Sequence, residues 1–342
     1  MTLSPVRILI VLHGSIGDVT RALPVASLLR HGFPGAHIAW SIEPAALPLV
    51  EMHPAVDEVI LFDRRSWRQS LLPFLSRIRG GRFNIVLDLQ RHLKSGLISR
   101  WSGAQRRIGF HRSDAKELNW LFNNQHIPPS PNDSKLNDYL SFLDCLFISK
   151  APLEWAIPLA PSESERVETI ARDIGTPFAT YCVGASWQSK RWVPAEAART
   201  AETVRQRHGL AAVILGGEED RGFATEMERL AATAVVNLTG RTSLRESVGI
   251  LARAEISVGP DSGLMHLSAA VGTPVVSLWG PTDPKRTGPY GFEDLIVQGR
   301  APCAPCYARS CPIGRVCMEA IKSDDVLSKI DAALARKEPL HG

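Results

Sequence analysis

A short polar turn near the start of the chain carries the first residues that could do chemistry. It follows the apolar stretch 7–13, and its residues Gly14, Ser15 and Gly17 permit a tight turn and a close approach of a ligand to the backbone. Asp18 comes next, at the predicted start of a helix, where the positive end of the helix dipole favours an ionised carboxylate. Asp18 is therefore either a general base directed at a ligand or a cap of its own helix.

A second polar turn, in the second half of the chain, has the composition of an anion-binding site. Asp261, Ser262 and Gly263 separate an apolar stretch from a predicted helix. Because the N–H groups at a helix start are unpaired, they bind phosphate when a glycine lets it come close. His266 lies one turn into this helix and is either a ligand contact or a histidine held in the core.

Two further strand ends in the second half carry residues suited to a nucleotide. Ser186 and Lys190 are placed to meet phosphate oxygens, and Arg191 could do the same. Glu218, Glu219 and Asp220 form an acidic run, and any one of them could accept hydrogen bonds from ribose hydroxyls. The alternative for the first group is an ordinary surface loop before a helix.

Four cysteines form a tight cluster near the end of the chain. Four thiolates this close could hold zinc, but their gaps differ from the pattern of two widely separated pairs that is typical of zinc sites. Reduced thiols in a tight loop are the alternative, and a catalytic role for these thiols is not expected. The residues are Cys303, Cys306, Cys311 and Cys317.

Charge is unevenly distributed along the chain. The formal net charge is +4, but residues 1–150 contain 18 basic and 12 acidic residues, whereas residues 151–342 contain 21 and 23. A basic first half suggests an acidic partner, although an uneven but solvated surface has the same composition. The basic residues that follow predicted strands, and so are candidates for binding an anionic acceptor, are Arg64, Arg91, Lys94 and Arg112.

The order of elements predicts an α/β fold with two doubly wound parallel sheets. Short apolar stretches alternate with helical ones, break off in the proline-containing stretch 152–164, and then start again. We therefore predict domains over residues 1–160 and 161–342, with a cysteine-rich segment at 303–317 and a C-terminal helix that can pack back on the first domain. Ligands are expected beyond the carboxyl ends of the strands, in the cleft between the domains.

Several classes of protein are disfavoured by composition. The apolar runs are too short to span a bilayer, and the first residues do not resemble a signal peptide, so we expect a cytoplasmic protein. No helix-turn-helix, zinc-finger or RNP pattern is found, and nucleic acid is not expected as a partner. The turn after the first strand is not G-x-G-x-x-G, which gives a dehydrogenase little support.

Taken together, the motifs resemble glycosyltransferase family nine, the heptosyltransferases of lipopolysaccharide core assembly. The matching segments are 15–24 (SIGDVTRALP), 189–192 (SKRW), 261–266 (DSGLMH) and 279–284 (WGPTDP). The resemblance implies the GT-B fold, in which two Rossmann-like domains face each other across a cleft. It also implies ADP-heptose as donor, inversion at the anomeric carbon, and no metal in the chemistry. The acceptor that it implies is Kdo or heptose of the inner core, at the inner face of the cytoplasmic membrane.

The resemblance also implies roles for individual residues. Asp18 stands where the family has its catalytic base, and Lys190 where the family contacts the donor phosphates. Asp261, Ser262 and Gly263 fall on the phosphate-binding turn, and His266 belongs to the same motif. The acceptor is expected on the first domain and the nucleotide sugar on the second.

Three other functions stay open at this point. The chain could use another nucleotide sugar, could be a nucleotide-sugar epimerase, or could be a non-catalytic member of the family. An epimerase would turn over the donor without an acceptor. Retention of Asp18, Lys190 and Asp261 argues against the non-catalytic alternative.

Overall fold

The computed structural model describes residues 5–131 and 134–336, which divide into two compact units at the Pro158–Leu159 bond. Within the described part of the first unit, six strands form one parallel sheet in the order β3-β2-β1-β4-β5-β6. The strands are β1 (Arg7–Val11), β2 (His37–Ile42), β3 (Glu58–Leu61), β4 (Ile85–Asp88), β5 (Arg106–Gly109) and β6 (Gln125–His126).

The helices of the first unit connect these strands and cover the sheet. They are α1 (Ile16–Gly32), α2 (Leu47–Val50), α3 (Trp67–Gly80), α4 (Leu93–Trp101) and α5 (Lys135–Asp144), with short 3₁₀ turns at Pro44–Ala46 and Asn119–Phe122. Phe74 and Ile78 of α3 and Ile98 of α4 pack with the branched side chains of the sheet in one apolar cluster. Helix α5 packs against α1.

The second unit repeats this arrangement with the strand order β12-β11-β10-β7-β8-β9. Its strands are β7 (Phe178–Cys182), β8 (Ala211–Leu215), β9 (Val235–Asn237), β10 (Ile256–Pro260), β11 (Val275–Trp279) and β12 (Val297–Gln298). Its helices are α6 (Pro161–Ile174), α7 (Pro194–His208), α8 (Arg221–Leu230), α9 (Leu244–Leu251), α10 (Gly263–Ala270), α11 (Pro284–Thr287), α12 (Val316–Glu319) and α13 (Ser323–Ala335), with 3₁₀ turns at Gln188–Lys190, Glu218–Asp220 and Glu293–Leu295.

Sequence explains why these elements begin where they do. Strands β7, β10 and β11 are buried along their whole length, as expected for a parallel sheet covered on both faces. Helix α7 begins with Pro194 at its first position, where proline costs no hydrogen bond. Helix α9 begins with a capping box in which Ser243 and Glu246 each accept the backbone N–H of the other.

The predicted architecture of two doubly wound parallel sheets is confirmed. The irregular stretch was predicted to extend to Ser164, but α6 begins at Pro161. Strand β6 was not predicted because it is only two residues long. Helix α13 buries Val326, Leu327 and Ile330 in the core of the second unit, and its contact with the first domain stays a prediction.

No helix within residues 5–131 or 134–336 is long and apolar enough to cross a bilayer.

The close approach of β10 to β7 gives a test of the second sheet. A Cβ added to Gly259 would lie 2.3 Å from the backbone oxygen of Cys182, so Gly259→Ala must displace a strand. We expect this variant to lose about 3 kcal/mol of unfolding free energy, measured by urea denaturation. Gly222→Ala is the control, because an added Cβ there meets nothing within 4 Å. Equal stability of the two variants would contradict this packing.

Candidate active site

The first candidate group lies at the carboxyl edge of the first sheet, where the strand order reverses between β1 and β4. Ligands bind at such switch points in open parallel sheets. The turn of Gly14, Ser15 and Gly17 leads from β1 into α1, and Ser15 is the N-cap, because its Oγ accepts a hydrogen bond from Asp18 N at 3.3 Å. Asp18 is therefore not the cap, and its carboxylate stands in the first turn of the helix.

Two cations hold the Asp18 carboxylate. Lys135 Nζ lies 2.5 Å from Asp18 Oδ1, and Arg21 Nη1 lies 3.1 Å from the same atom. Burial would raise the pKa of Asp18, but the charges of Lys135 and Arg21 lower that pKa to about 2. The carboxylate is therefore ionised throughout the neutral range, although its side chain is only 24% exposed.

Sequence reasoning missed Lys135, which lies 117 positions from Asp18 and is brought to it by the packing of α5 on α1. The fold disfavours a cation at this place. Burial lowers the pKa of Lys135, the charges of Arg21 and Arg91 lower it further, and the start of α5 presents the positive end of a helix dipole. The opposing interaction is with Asp18, which raises that pKa.

Gly14 is required by the position of Asp18. A Cβ added to Gly14 would lie 2.8 Å from Asp18 Cβ and 3.2 Å from Asp18 Oδ2. Any side chain at position 14 would therefore push the carboxylate away from its place. Because Lys135 and Arg21 both contact Oδ1, Oδ2 is the oxygen that faces the glycine turn.

Two of the four basic acceptor candidates lie close to this edge of the sheet: Arg91 in the loop after β4 and Lys94 in the first turn of α4. Lys94 Nζ pairs with Glu43 Oε1 at 2.6 Å. Arg91 has a left-handed backbone with φ of 71°, and its guanidinium lies 5.0 Å from the centre of the Phe110 ring. Its charge also acts on Lys135, which places Arg91 in the electrostatic surroundings of Asp18.

The other two candidates follow β3 and β5 and are exposed. Arg64 lies three residues beyond β3, next to Arg65. Arg112 stacks on Trp120, with its guanidinium carbon 5.0 Å from the ring centre. The structure places both on the surface of the unit and gives neither a contact with the Asp18 group.

A buried histidine beside the turn was also missed. His13 follows β1, and its Nε2 lies 2.6 Å from Ser41 Oγ, while its Nδ1 lies 3.9 Å from Glu43 Oε1. Burial lowers the pKa of His13 to about 3, so the ring is neutral at neutral pH. The signal in the sequence is position: His13 and Glu43 are the polar residues that follow two neighbouring central strands.

The second candidate group lies at the carboxyl edge of the second sheet, at its switch point between β10 and β7. Asp261 follows β10, and its Oδ2 pairs with Lys190 Nζ at 2.5 Å and accepts a hydrogen bond from Thr282 Oγ1 at 2.9 Å. His266 Nε2 lies 3.9 Å from Asp261 Oδ1. Burial opposes ionisation of Asp261, but His266 and Lys190 hold its pKa far below the usual range.

This arrangement brings together three predicted residues and gives Lys190 a fixed direction. Its ammonium lies between the Asp261 carboxylate and the face of Trp187, 4.5 Å from the ring centre. An ammonium carries three N–H donors, so the pair with Asp261 leaves Lys190 able to donate to a further anion. His266 belongs to this network and is not a purely apolar core residue.

The turn at the start of α10 presents unused donors. Ser262 is the N-cap, and its Oγ is buried without a hydrogen-bond partner among the described residues. Gly263 is the first residue of the helix. Ser186, in the loop after β7, is exposed at the same edge of the sheet.

The acidic residues after β8 differ in burial and in their hydrogen-bond and ion-pair partners. Asp220 is buried, pairs with Arg191 Nη2 at 3.0 Å, and accepts the backbone N–H of Gly217 at 3.0 Å. Burial raises the pKa of Asp220. Glu219 is exposed. Asp220 and Arg191 therefore stabilise the loop by pairing with each other. Glu218 and Glu219 both face solvent, and Glu218 pairs with Arg221 at 2.8 Å.

The cysteine-rich segment braces these loops. Ser189 Oγ donates to the carbonyl of Ala308 at 2.6 Å, Arg315 Nη1 donates to the carbonyl of Arg191 at 3.3 Å, and Tyr307 N donates to that of Pro281 at 2.8 Å. Cys303 and Cys306 are exposed, Cys311 is half-buried and Cys317 is buried. In the described part of the chain, no group of three or more His, Cys, Asp or Glu residues is arranged to hold a metal ion, so the zinc candidate gains no support.

With this geometry established, the chain can be compared with known proteins. The model of the family described as "Glycosyltransferase family 9 (heptosyltransferase)" matches residues 72–317. The chain belongs to this family. It is therefore a glycosyltransferase, and the resemblance inferred from its motifs is confirmed.

Curated relatives of this family 9 glycosyltransferase match it over most of its length. Lipopolysaccharide heptosyltransferase 1 from Pseudomonas aeruginosa is 29% identical over 317 residues, which cover 89% of this chain and 87% of the relative. Lipopolysaccharide core heptosyltransferase OpsX from Haemophilus influenzae is 22% identical and covers 86% of this chain and 85% of its own.

Solved structures show that the fold is shared. A family 9 glycosyl transferase from Veillonella parvula matches with a TM-score of 0.82 and 20% identity, covering 98% of this chain and 99% of its own. Heptosyltransferase WaaC from E. coli, solved with ADP, matches with a TM-score of 0.75 and 24% identity, covering 96% and 99%. The predicted GT-B fold class, with its two doubly wound sheets, is confirmed.

The pairing of Asp18 with Lys135 predicts a pH-dependent loss of stability. Lys135→Met removes the strongest charge that opposes burial, so the pKa of Asp18 should rise above its ordinary value of 3.8. In the wild type the low pKa contributes stability that is present above pH 4 and is lost as the pH falls from about 4 towards 2. In the variant at neutral pH, the ionised Asp18 carboxylate destabilises the folded state. Protonation of Asp18 removes this destabilisation as the pH falls.

We therefore expect Lys135→Met to lose about 2 kcal/mol of unfolding free energy at pH 7, and a smaller amount at pH 4.5, by urea denaturation. Lys150→Met is the matched control, because it breaks an exposed pair with Asp144 and should change stability little at either pH. A deficit in Lys135→Met that is independent of pH would contradict the assignment.

Proposed function

We propose that this glycosyltransferase transfers heptose from ADP-heptose to an anionic, lipid-linked glycan of the lipopolysaccharide inner core, Kdo or heptose, with inversion at the anomeric carbon. The observation that carries the proposal is an ionised carboxylate, Asp18, held at the switch point of the first sheet in a chain of family 9. The relatives support the substrates: those most similar are lipopolysaccharide heptosyltransferases, and related structures contain ADP or ADP-2-deoxy-2-fluoro heptose.

In the proposed reaction Asp18 is the general base. The acceptor hydroxyl oxygen attacks the anomeric carbon, the bond from that carbon to the ADP oxygen breaks, and the hydroxyl proton passes to the Asp18 carboxylate. Because Lys135 and Arg21 both contact Oδ1, we assign Oδ2 as the atom that takes the proton. One displacement at one carbon inverts its configuration.

The low pKa of Asp18 limits when the proton can move. A carboxylate with a pKa of about 2 takes a proton poorly from a neutral hydroxyl. The hydroxyl becomes strongly acidic once its oxygen has begun to bond to the anomeric carbon and carries positive charge. Proton transfer to Asp18 should therefore follow the start of bond formation between the acceptor oxygen and the anomeric carbon. This order disfavours hydrolysis of the donor by a water molecule that is not held in place.

The second unit supplies the groups that stabilise the departing ADP. Lys190, directed by Asp261, offers its ammonium to the diphosphate, and the Ser262 hydroxyl and the N–H groups at the start of α10 offer hydrogen bonds. These groups meet the charge that grows on ADP as it leaves, so the proposed chemistry needs no metal. Ser186 at the same edge is a further candidate for a phosphate oxygen.

Glu219 is the residue that we assign to the ribose hydroxyls. It is exposed at the carboxyl end of β8, whereas the neighbouring Asp220 is buried in its pair with Arg191. A carboxylate at such a strand end accepts hydrogen bonds from ribose. Asp220 and Arg191 then support the donor site by fixing the loop.

The acceptor is assigned to the first unit because cations exceed carboxylates around Asp18. Arg21 and Lys135 act on one carboxylate, and the charge of Arg91 acts on Lys135, so an excess of positive charge remains for an anionic acceptor. Lys94 lies in the first turn of α4, in the same part of the unit. Arg64 and Arg112 are further candidates at the surface.

The first test is Asp18→Asn, which keeps the shape of the side chain and removes the base. We expect kcat for heptose transfer to fall by at least about 100-fold, while the Kd for ADP measured by calorimetry stays within about twofold of wild type. Asp144→Asn, which removes an exposed carboxylate from the end of α5, should leave both quantities unchanged. Unchanged turnover in Asp18→Asn would remove Asp18 from the mechanism.

The second test addresses the donor. Wild-type protein should bind ADP in preference to UDP and GDP, and Lys190→Met should weaken ADP binding by about 10- to 100-fold, the range expected for hydrogen bonds to a charged group. Lys329→Met is the control, since its ammonium donates to a surface carbonyl, that of Asp294. Preference for UDP or GDP would move the proposal to another nucleotide sugar, and donor turnover without acceptor would favour an epimerase.

A further inference from the structure

One segment of the first unit has a charge unlike that of the rest of the chain. From Arg64 to Ser113 the sequence has twelve lysines and arginines and a single acidic residue, Asp88. Asp88 is fully buried, so it does not offset the cations at the surface. The whole chain has a net charge of only +4, so the other residues together are net acidic. The positive charge is thus concentrated on α3, α4 and the loops that flank them.

The same segment exposes large apolar side chains in a helical pattern. Leu93, Leu97 and Trp101 of α4 follow one another at intervals of four residues and therefore lie along one face of the helix. Leu97 and Trp101 are each 50% exposed, so this face is not covered by the core. With 100° per residue, Arg100 and Lys94 lie on either side of the apolar face.

Helix α3 extends this apolar face. Trp101 Nε1 donates to the carbonyl of Leu75 at 3.0 Å, which places the end of α4 against α3. On α3, Leu72 is 74% exposed and Trp67 is 50% exposed, with Arg68 stacked over the Trp67 ring. We call this the α3–α4 surface; it consists of Trp67, Leu72, Leu93, Leu97 and Trp101 with the arginines Arg64, Arg65, Arg68 and Arg100.

We propose that the α3–α4 surface is a docking site for an anionic lipid bilayer. Leucine and tryptophan side chains enter the boundary between headgroups and acyl chains, while flanking arginines contact anionic headgroups. Arginine suits this place because its stem lies along apolar surface while its head stays in the polar layer. Exposed leucines and tryptophans set among an excess of arginines are what such an interface requires. Two carboxylates adjoin the surface, because Asp63 accepts the backbone N–H of Arg65 and Glu117 accepts that of Leu93.

Charge decides between a bilayer and a second copy of this chain. A symmetric dimer through the α3–α4 surface would place the same patch against itself, so the arginines of both copies would be gathered in one interface. Like charges opposed across an interface are strongly unfavourable. An anionic bilayer offers the opposite charge together with an apolar phase, so it matches both features of the surface.

The surface is placed so that docking would bring lipid near the candidate base. Helix α4 follows β4, and its first turn, with Lys94, lies at the carboxyl edge where the Asp18 group is found. The inference deepens the proposed function, because the proposed acceptor is lipid-linked. Its test uses neither donor nor acceptor, so failure of one proposal does not imply failure of the other.

The experiment is flotation of the purified full-length protein with liposomes. We expect it to float with vesicles that contain about 30 mol % phosphatidylglycerol and to bind vesicles of phosphatidylcholine alone at least about tenfold more weakly. High salt should weaken binding to the anionic vesicles, because it screens exposed charges. Absence of binding to anionic vesicles at low salt would overturn the proposal.

Two variants separate the apolar and the charged contributions. Leu72→Ser combined with Leu97→Ser removes exposed side chains and should weaken vesicle binding about tenfold or more without loss of folding. Arg65→Gln combined with Arg68→Gln should weaken binding to anionic vesicles and reduce its salt dependence. Both residues are exposed.

Matched controls remove similar side chains elsewhere. Phe147→Ser removes a residue that is 98% exposed but lies outside the α3–α4 surface, and Arg172→Gln with Arg199→Gln removes two exposed charges from the second unit. Both controls should bind vesicles as the wild type does. If the controls weaken binding as much as the surface variants, or if sedimentation shows a dimer that the leucine variant dissociates while vesicles are not bound, the assignment to lipid is wrong.

Discussion

Each unit of this glycosyltransferase places a carboxylate at the switch point of its sheet and pairs it with a lysine from a distant element. Asp18 meets Lys135 and Asp261 meets Lys190, in both cases with 2.5 Å between the ammonium nitrogen and a carboxylate oxygen. A buried charge without a partner costs several kcal/mol, so each carboxylate can remain ionised only because a cation is held beside it. The proposed chemistry of both sites depends on that pairing.

The two pairs are used differently. In the first unit, Arg21 joins Lys135 on the same oxygen of Asp18, which leaves the other oxygen for a proton. In the second unit Asp261 directs the ammonium of Lys190, which is the group proposed to contact the donor. A carboxylate beside a diphosphate would repel it, so the pairing also neutralises Asp261 where ADP is proposed to bind. The same physical device therefore supports the proposed base in one unit and the proposed anion site in the other.

The parallel sheets explain why these groups can be assembled from distant parts of the chain. All strands of such a sheet end at the same edge, so the residues after each strand gather there whatever their separation in sequence. The cysteine-rich segment adds a second layer in the second unit, since residues 307–309 and 315 bond to the loops around Lys190 and Pro281. These hydrogen bonds hold the loops in which the donor is proposed to bind.

The sequence by itself determined the fold class, the family and the positions that follow each strand. Alternation of apolar and helical stretches fixes where the chain must turn, and the turns at Gly14 and Asp261 carry motifs that are local in sequence. It could not determine the partners of those residues. Lys135 lies 117 positions from Asp18, and Asp220 resembles Glu219 until its pair with Arg191 is seen. The periodicity of apolar residues specifies which side of a helix or strand is buried. It does not specify which distant side chain that buried side contacts, because this depends on how helices such as α5 and α1 pack together.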